Sequence, residues 1–360
     1  MIEYENLGLT NKPFHEDFLR NFRDILEKGW FILGRQVSDF EEAFAAYCAT
    51  SWCAGVGSGL DALVLSLMTL GIPRGSEVIV PSNTYFVTIL AIIRCGLKPV
   101  LVEPDIQSYN INPLLIEQAI TKKTRCLLVV HLYGKVCDMD PILSIARRYD
   151  LAVVEDCAQA HGAEYKHKKA GSFGHLGAWS FYPTKNLGAL GDAGAVTSNL
   201  APMIEKIKTL RNYGSSSKDY IDYIGANSRL DEIQASFLLV KLKSLDTINE
   251  HKRRLAALYT EYLKSDFVTP LVHPDYYDIY HIYNIRHPQR DKIRDYLTRK
   301  GIMTRIHYPV PPHKQKALKG FVKGEYPVAA LIHDTTLSLP VSFHHTVDDI
   351  FHVIEALNKY

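Results

Sequence analysis

One lysine stands between an aromatic cluster and a glycine-rich run in AWSFYPTKNLGALGDAGAV, residues 178–196. Trp179, Phe181 and Tyr182 precede Lys185, and Gly188, Gly191 and Gly194 follow it with small residues between them. A solvated loop cation is the ordinary reading of such a lysine. A loop this aromatic and this poor in charge packs inward instead. An amine drawn into a partly apolar pocket loses hydration, which disfavours its charged form and leaves it nucleophilic toward carbonyl carbon. The second candidate, Asp156, closes the apolar run in LAVVEDCAQAHG. It reads either as a helix cap for the residues behind it or as a buried anion that needs a cationic partner. The third feature is GVGSGLDAL, residues 55–63, a turn feeding a helix. Its glycines fall as GxGxG, and no acidic residue closes a second strand at the distance that holds a dinucleotide ribose. A helix N-terminus still offers free N–H groups and a positive dipole end to a single phosphate, with plain turn chemistry as the alternative.

These residues need a scaffold that brings them to one place. Short β-branched runs alternate with helical ones: SEVIVPSNTY, KPVLVEP, RCLLVVHLYG, LAVVEDCAQ, AWSFYP and GAVTSN read as strands. LDALVLSLMTLG, TILAIIRCG, LLIEQAI and MDPILSIARRYD read as helices. This alternation predicts an α/β fold with a mostly parallel sheet covered on both faces. Ligands collect beyond the carboxyl ends of such strands. Ser82 to Tyr85, His131 to Gly134, Asp156 to His161 and the Lys185 loop all fall there. After the long amphipathic run from LDEIQASF to YTEYL, read as one helix bridging two domains, the pattern weakens. VHPDYYDIYHIYNIRH reads as a strand, with helices in RDKIRDYLTRKG and VDDIFHVIEALNKY. We expect a large domain over residues 1–240 and a smaller α+β domain over 241–360.

Composition narrows the classes. Of 360 residues 47% are hydrophobic and 22% charged, and 41 basic against 39 acidic side chains leave a net charge of +2. That balance gives no electrostatic case for nucleic acid or a membrane surface. The start, MIEYENLGLTNKPF, lacks the apolar core of a signal peptide, and no apolar run approaches the roughly 20 residues that span a bilayer. The six cysteines, Cys48, Cys53, Cys95, Cys126, Cys137 and Cys157, form no CxxC pair. Free thiols in a reducing cytosol are expected, with neither a structural metal nor a disulfide framework.

An amine that captures carbonyls, a carboxylate for a protonated ring nitrogen and a phosphate cradle together describe a site for pyridoxal 5′-phosphate. At this point the chain resembles the DegT/StrS sugar-nucleotide aminotransferases, enzymes of the aspartate aminotransferase fold (fold type I). The likeness runs over nearly the whole chain and rests on SGLDAL, VPSNTY, HLYG, EDCAQAHGA, SFYPTKNLGALGDAGAV and NSRLDEIQA. The resemblance implies that Lys185 carries the cofactor and that Asp156 faces its pyridinium nitrogen. It likewise implies that Gln159 neighbours the phenolic oxygen and Tyr85 stacks on the ring. Ser58, Gly59 and Ser180 would hold the phosphate, with Asn227 reaching it from the second subunit of an obligate homodimer. L-Glutamate is the implied amino donor and a keto sugar linked to a nucleoside diphosphate the acceptor. His131, Tyr133, Tyr182, Tyr213, His307, Tyr308 and His313 are the candidate sugar-nucleotide contacts. HLYG together with HYPVPPH looks most like enzymes that aminate C3 of dTDP-3-oxo-6-deoxyhexoses; C4 amination of a dTDP- or UDP-sugar is the runner-up. Relatives that dehydrate or deoxygenate replace the lysine by histidine or add an iron–sulfur cluster, and Lys185 and the scattered cysteines speak against both. A non-catalytic cofactor-binding regulator is the rival from another class, and no DNA-binding segment is recognised ahead of the Lys185 domain.

Overall fold

The computed structural model describes residues 1–217 and 219–360. Its centre is a seven-stranded sheet built from β1 (Trp52–Val56), β2 (Glu77–Pro81), β3 (Lys98–Val102), β4 (Thr124–Val130), β5 (Ala152–Asp156), β6 (Leu176–Ser180) and β7 (Gly194–Ser198). The spatial order is β1-β7-β6-β5-β4-β2-β3. β3, β2, β4, β5 and β6 run parallel, while β7 lies antiparallel to both β6 and β1.

Alternation along the strands divides the core in two. Leu127, Val129, Val153 and Trp179 enter one cluster, while Leu128, Val130, Val154 and Ala178 enter the other. Successive strand side chains point to opposite faces, so a sheet buried on both sides carries apolar residues at every position. The helices that supply the core include α1 (Arg35–Tyr47), α2 (Gly59–Leu70), α3 (Phe86–Arg94), α4 (Met139–Arg148), α5 (Ala201–Leu210), α6 (Glu232–Leu242), α7 (Leu245–Tyr262), α8 (Arg290–Arg299) and α9 (Val347–Asn358). α1, α4 and α6 supply the first cluster; α2, α3 and α5 supply the second. A third cluster surrounds the antiparallel pair β8 (Tyr283–Arg286) and β9 (Thr336–Leu339), with α8, α9 and the far half of α7. α7 belongs to two cores, since Leu245 sits in the first cluster and Leu255 and Tyr259 in the third.

Three local expectations are corrected. The long amphipathic run is two helices broken at Lys243 and Ser244, where Ser244 takes a non-helical conformation and donates its N–H to the Lys241 carbonyl. LLIEQAI forms only a four-residue helix, Pro113–Ile116, and a 3-10 turn. VHPDYYDIYHIYNIRH is divided into Tyr276–Tyr277, which pairs with Glu164–Tyr165, and β8. Among the described residues no helix is long and apolar enough to cross a membrane, and all six cysteines are unpaired.

Candidate active site

The register sets the carboxyl ends of the central strands side by side. Val130 lies opposite Asp156, Asp156 opposite Ala178, Ser180 opposite Gly194 and Gly194 opposite Val56. The loops that follow β1, β4 and β5, and the Lys185 loop that leaves β6 and enters the antiparallel β7 at Gly194, therefore meet at one edge of the sheet.

The Lys185 loop is fixed from within. Phe181 is fully buried and meets the rings of Phe40 and Phe44 edge-on at 5.3 and 5.1 Å. Its backbone N–H donates to Ala193, and its carbonyl accepts from Ala189. Lys241 Nζ donates to the Gly188 carbonyl at 2.8 Å. Asn186, next to Lys185, donates to Asn249 Oδ1 and Ile279 O, and accepts from Lys252 Nζ at 2.9 Å. Gly188 is required by space: a Cβ there would lie 2.3 Å from the Pro183 carbonyl oxygen. Lys185 itself is half-buried. Desolvation pushes its amine down to about 8, against the opposing pull of Asp156, so a useful fraction is free base near neutrality.

Asp156 is buried at the tip of β5. Its Oδ2 accepts from the Thr88 hydroxyl at 2.9 Å and its Oδ1 from the Ala158 N–H at 3.1 Å. Burial raises its carboxyl pKa; those two hydrogen bonds and the Lys185 charge pull the other way. Residues 157–162 form turns, so Asp156 closes a turn and caps no helix. A carboxylate has about four acceptor positions. Two of them remain open.

The cradle forms where α2 meets β6. Ser58 caps α2 by accepting the Asp61 N–H at 3.1 Å, which leaves the first-turn N–H groups of Gly59 and Leu60 without intrahelical partners. A Cβ on Gly59 would sit 2.5 Å from the Ser180 Cβ, so glycine lets the helix end close on Ser180. From below, Ser228 Oγ accepts the Gly57 N–H and donates to Asp61. Arg211 ties Gly55 O to Glu41.

Gln159 joins several elements. Its Oε1 accepts from the Tyr133 N–H at 2.7 Å and its Nε2 donates to the Tyr308 hydroxyl at 2.8 Å. Tyr133 in turn donates its hydroxyl to the His307 carbonyl. The Tyr85 ring, half exposed, stacks on Tyr308 at 4.8 Å. His307 bonds Ser338 Oγ through Nδ1, and burial pushes it down to about 4. Tyr182 is exposed at the rim. His313 stands farther along the same loop against Tyr326. Tyr213 and Asn227 form an exposed pair, Asn227 Nδ2 donating to the Tyr213 hydroxyl at 2.9 Å with Arg229 over the ring.

His131 stands apart from the other candidates. It is fully buried, and its Nδ1 accepts the Cys137 N–H, so the proton sits on Nε2 and is donated to Glu155 at 2.9 Å. With both nitrogens engaged it braces Glu155 instead of facing a ligand. Glu155 also accepts from the N–H groups of Gly171, Phe173 and Gly174. His131, Glu155 and Cys157 approach one another closely enough to suit a metal, yet the carboxylate is already filled by four donors. Sequence reasoning passed over Thr88, Glu155, Asn186, Lys241, Asn249, Lys252 and Glu232. Glu232 caps α1 by accepting from Gly34, Gln36 and Val37, and it was visible only as the last letters of NSRLDE.

A desolvated amine, a buried carboxylate with open acceptor positions and a glycine-gated helix N-terminus suit a flat, phosphorylated aldehyde with a basic ring nitrogen. The comparisons agree with this chemistry. Residues 13–358 match the DegT/DnrJ/EryC1/StrS aminotransferase family. The chain is 47% identical over 361 residues to the dTDP-3-amino-3,6-dideoxy-alpha-D-galactopyranose transaminase of Aneurinibacillus thermoaerophilus, covering 100% of this chain and 99% of that one. The crystal structure of DesV from S. venezuelae superposes with a TM-score of 0.97 at 41% identity over 99% of this chain and 98% of that one. NtdA from Bacillus subtilis, solved with bound cofactor PMP, superposes with a TM-score of 0.93 at 29% identity over 99% of this chain and 84% of that one.

Proposed function

The chain belongs to the DegT/DnrJ/EryC1/StrS aminotransferase family, and from that premise we propose that it moves an amino group from L-glutamate to C3 of a dTDP-3-oxo-6-deoxyhexose. The product is then a dTDP-3-amino-3,6-dideoxyhexose. The observation that carries the transfer chemistry is the pair formed by Lys185, held at about 8, and Asp156, buried with spare acceptor positions. The preference for C3 rests on the full-length likeness to the Aneurinibacillus enzyme.

Bound pyridoxal phosphate supplies the carbonyl that takes the amine and the ring that stores the electron pair. Lys185 would hold the cofactor at rest, and its amine, once free, would serve as the base that takes the proton from the donor α-carbon and as the acid that gives it back. In the acceptor half the same amine serves as acid and base at the sugar carbon. Asp156 keeps the ring nitrogen protonated, a role for which its open Oδ positions suit it. Gln159 borders the ring's oxygen and Tyr85 its face. Ser58, Gly59 and Ser180 hold the phosphate. Tyr133, Tyr182, Tyr213, His307, Tyr308 and His313 border the sugar nucleotide. In this reading residues 1–240 form the large cofactor-binding domain and residues 241–360 the small one.

A second copy completes the site in this reading. Trp30, Phe31, Ile32, Tyr213, Tyr223 and Ile224 are exposed, Ile224 at 94%, and an apolar surface of that kind marks an interface. Asn227 lies on it and reaches the partner's cofactor phosphate.

The purified protein is expected to absorb in the visible, to lose that band with L-glutamate and to regain it with a dTDP-3-oxo-6-deoxyhexose, giving a product identified by mass and NMR. A protein that stays colourless with added cofactor removes the reading. Turnover of the 4-oxo sugar alone moves the amination to C4.

A further inference from the structure

We propose that Arg305 binds a carboxylate of the amino donor, on the wall of a cavity that reaches Thr184, the residue before Lys185. The inference rests on the aminotransferase reading and adds the residue that selects the donor.

The cavity has a volume of about 410 Å³ and is lined by Tyr4, Glu5, Thr184, His281, Arg305 and His307, among others. Thr184 precedes Lys185 in the chain, and the Lys185 charge acts on both His281 and His307 of the cavity wall, which places the amine near this space. Of these six, only Arg305 is positive at neutral pH. Burial and the neighbouring Lys185 charge keep His281 well below its ordinary range, and His307 is pushed down to about 4.

Arg305 is exposed, but its backbone is pinned. Its N–H donates to the Ser338 carbonyl at 3.1 Å and its carbonyl accepts the Ser338 N–H at 2.7 Å, which joins it to β9. Among the described residues no carboxylate pairs with its guanidinium. Glu5, on the same cavity, accepts from Thr10 Oγ1 and lies 3.9 Å from His344. A carboxylate entering here is repelled from the Glu5 wall and drawn to Arg305, where a planar fork of donors matches it bidentately. His281 Nδ1, buried without a partner, also lines the cavity as a hydrogen-bonding site. The N-terminal segment closes the space. Ile2 exchanges backbone hydrogen bonds with Gly301 and Met303, and His345 holds the Glu3 carbonyl, setting the Tyr4 ring 5.8 Å from His307.

The test compares the cofactor-loaded wild type with Arg305→Gln and Arg305→Lys. Glutarate, which cannot react, is titrated by calorimetry, the L-glutamate concentration that half-bleaches the visible band is measured, and dTDP binding serves as the control anion. Loss of a charge-assisted bidentate contact is expected to weaken glutarate and raise the half-bleaching concentration by about 10- to 100-fold in Arg305→Gln. Arg305→Lys should recover part of this, with dTDP binding unchanged. Unchanged glutarate and glutamate values in Arg305→Gln overturn the assignment. A loss of dTDP binding equal to or larger than that of glutarate also overturns it, assigning the cation to phosphate or to folding. A wild type that never bleaches with L-glutamate overturns the proposed function itself, which is a different result from a wild type that bleaches and a variant that matches it.

Discussion

Glu155 and Asp156 are neighbours on β5, yet they serve the regions on opposite sides of the sheet in opposite ways. Glu155 points into the core, where three backbone N–H groups and the His131 Nε2–H fill its acceptor positions. Asp156 points to the cleft, takes two donors and has its pKa raised by burial. A filled carboxylate builds a scaffold and has nothing left to give a ligand. A half-filled one keeps a cost in the free protein that a cationic ligand relieves. Stability and activity should therefore separate at these two adjacent positions.

The largest effect belongs to the group both regions serve. Lys185→Ala is expected to lower amino transfer by roughly 10⁴-fold or more while the protein stays folded and binds the cofactor noncovalently; turnover near that of the wild type removes Lys185 from the chemistry. Next comes the contrast itself. Asp156→Asn should cost about 10²- to 10³-fold in turnover, since an amide cannot hold a ring nitrogen protonated, with the thermal midpoint of the cofactor-free protein unchanged or raised. Glu155→Gln should do the reverse. Its amide sets a donor against donors in the core, costs about 3–5 kcal/mol of stability and leaves turnover per folded molecule within a few-fold. Equal losses of stability in both variants would erase the distinction.

A pH profile sharpens the comparison on the cleft side. With its amine at about 8, Lys185 is free base in about one molecule in ten at pH 7, against about one in 2,500 for an ordinary lysine near 10.4. The rate at which the cofactor-free protein captures pyridoxal phosphate should rise with pH and level off above about 8. A rate still climbing past pH 10 means that the cleft does not desolvate the amine.

The smallest effect concerns the exposed pair Asn227 and Tyr213. Asn227→Asp should weaken cofactor retention about 10-fold by setting an anion beside the phosphate. Co-expressed with Lys185→Ala chains, it should yield heterodimers with one intact site and about half the wild-type activity. No recovery, once heterodimers are shown to form and each single variant to be deficient, places the phosphate contact within one chain.

The course of the chain explains which of these features can be read from sequence. The Lys185 loop is legible because aromatic anchors on one side and glycines on the other leave a cation nowhere ordinary to go. The parallel sheet is legible because strands buried on both faces are apolar at every position. Glu155 and Asp156 are adjacent letters of one type, and only the turn at Gly171 to Gly174, folding back beneath β5, tells them apart. Lys241 and Lys252 look like the solvent side of an amphipathic run. Each is buried and donates to an oxygen far away in the same chain, Lys241 to the Gly188 carbonyl and Lys252 to Asn186 Oδ1 and the His281 carbonyl, and such tertiary contacts leave no local trace. His131 reads as a loop-end ligand for the same reason: its partners, Cys137 and Glu155, are set by packing.

Borohydride reduction of the cofactor-loaded protein, followed by peptide mapping, tests the central claim most directly. The account predicts one cofactor-sized mass increment, on the peptide that carries Lys185, and none in Lys185→Ala. An increment on Lys241, Lys252 or any other lysine, or its persistence in Lys185→Ala, would contradict it.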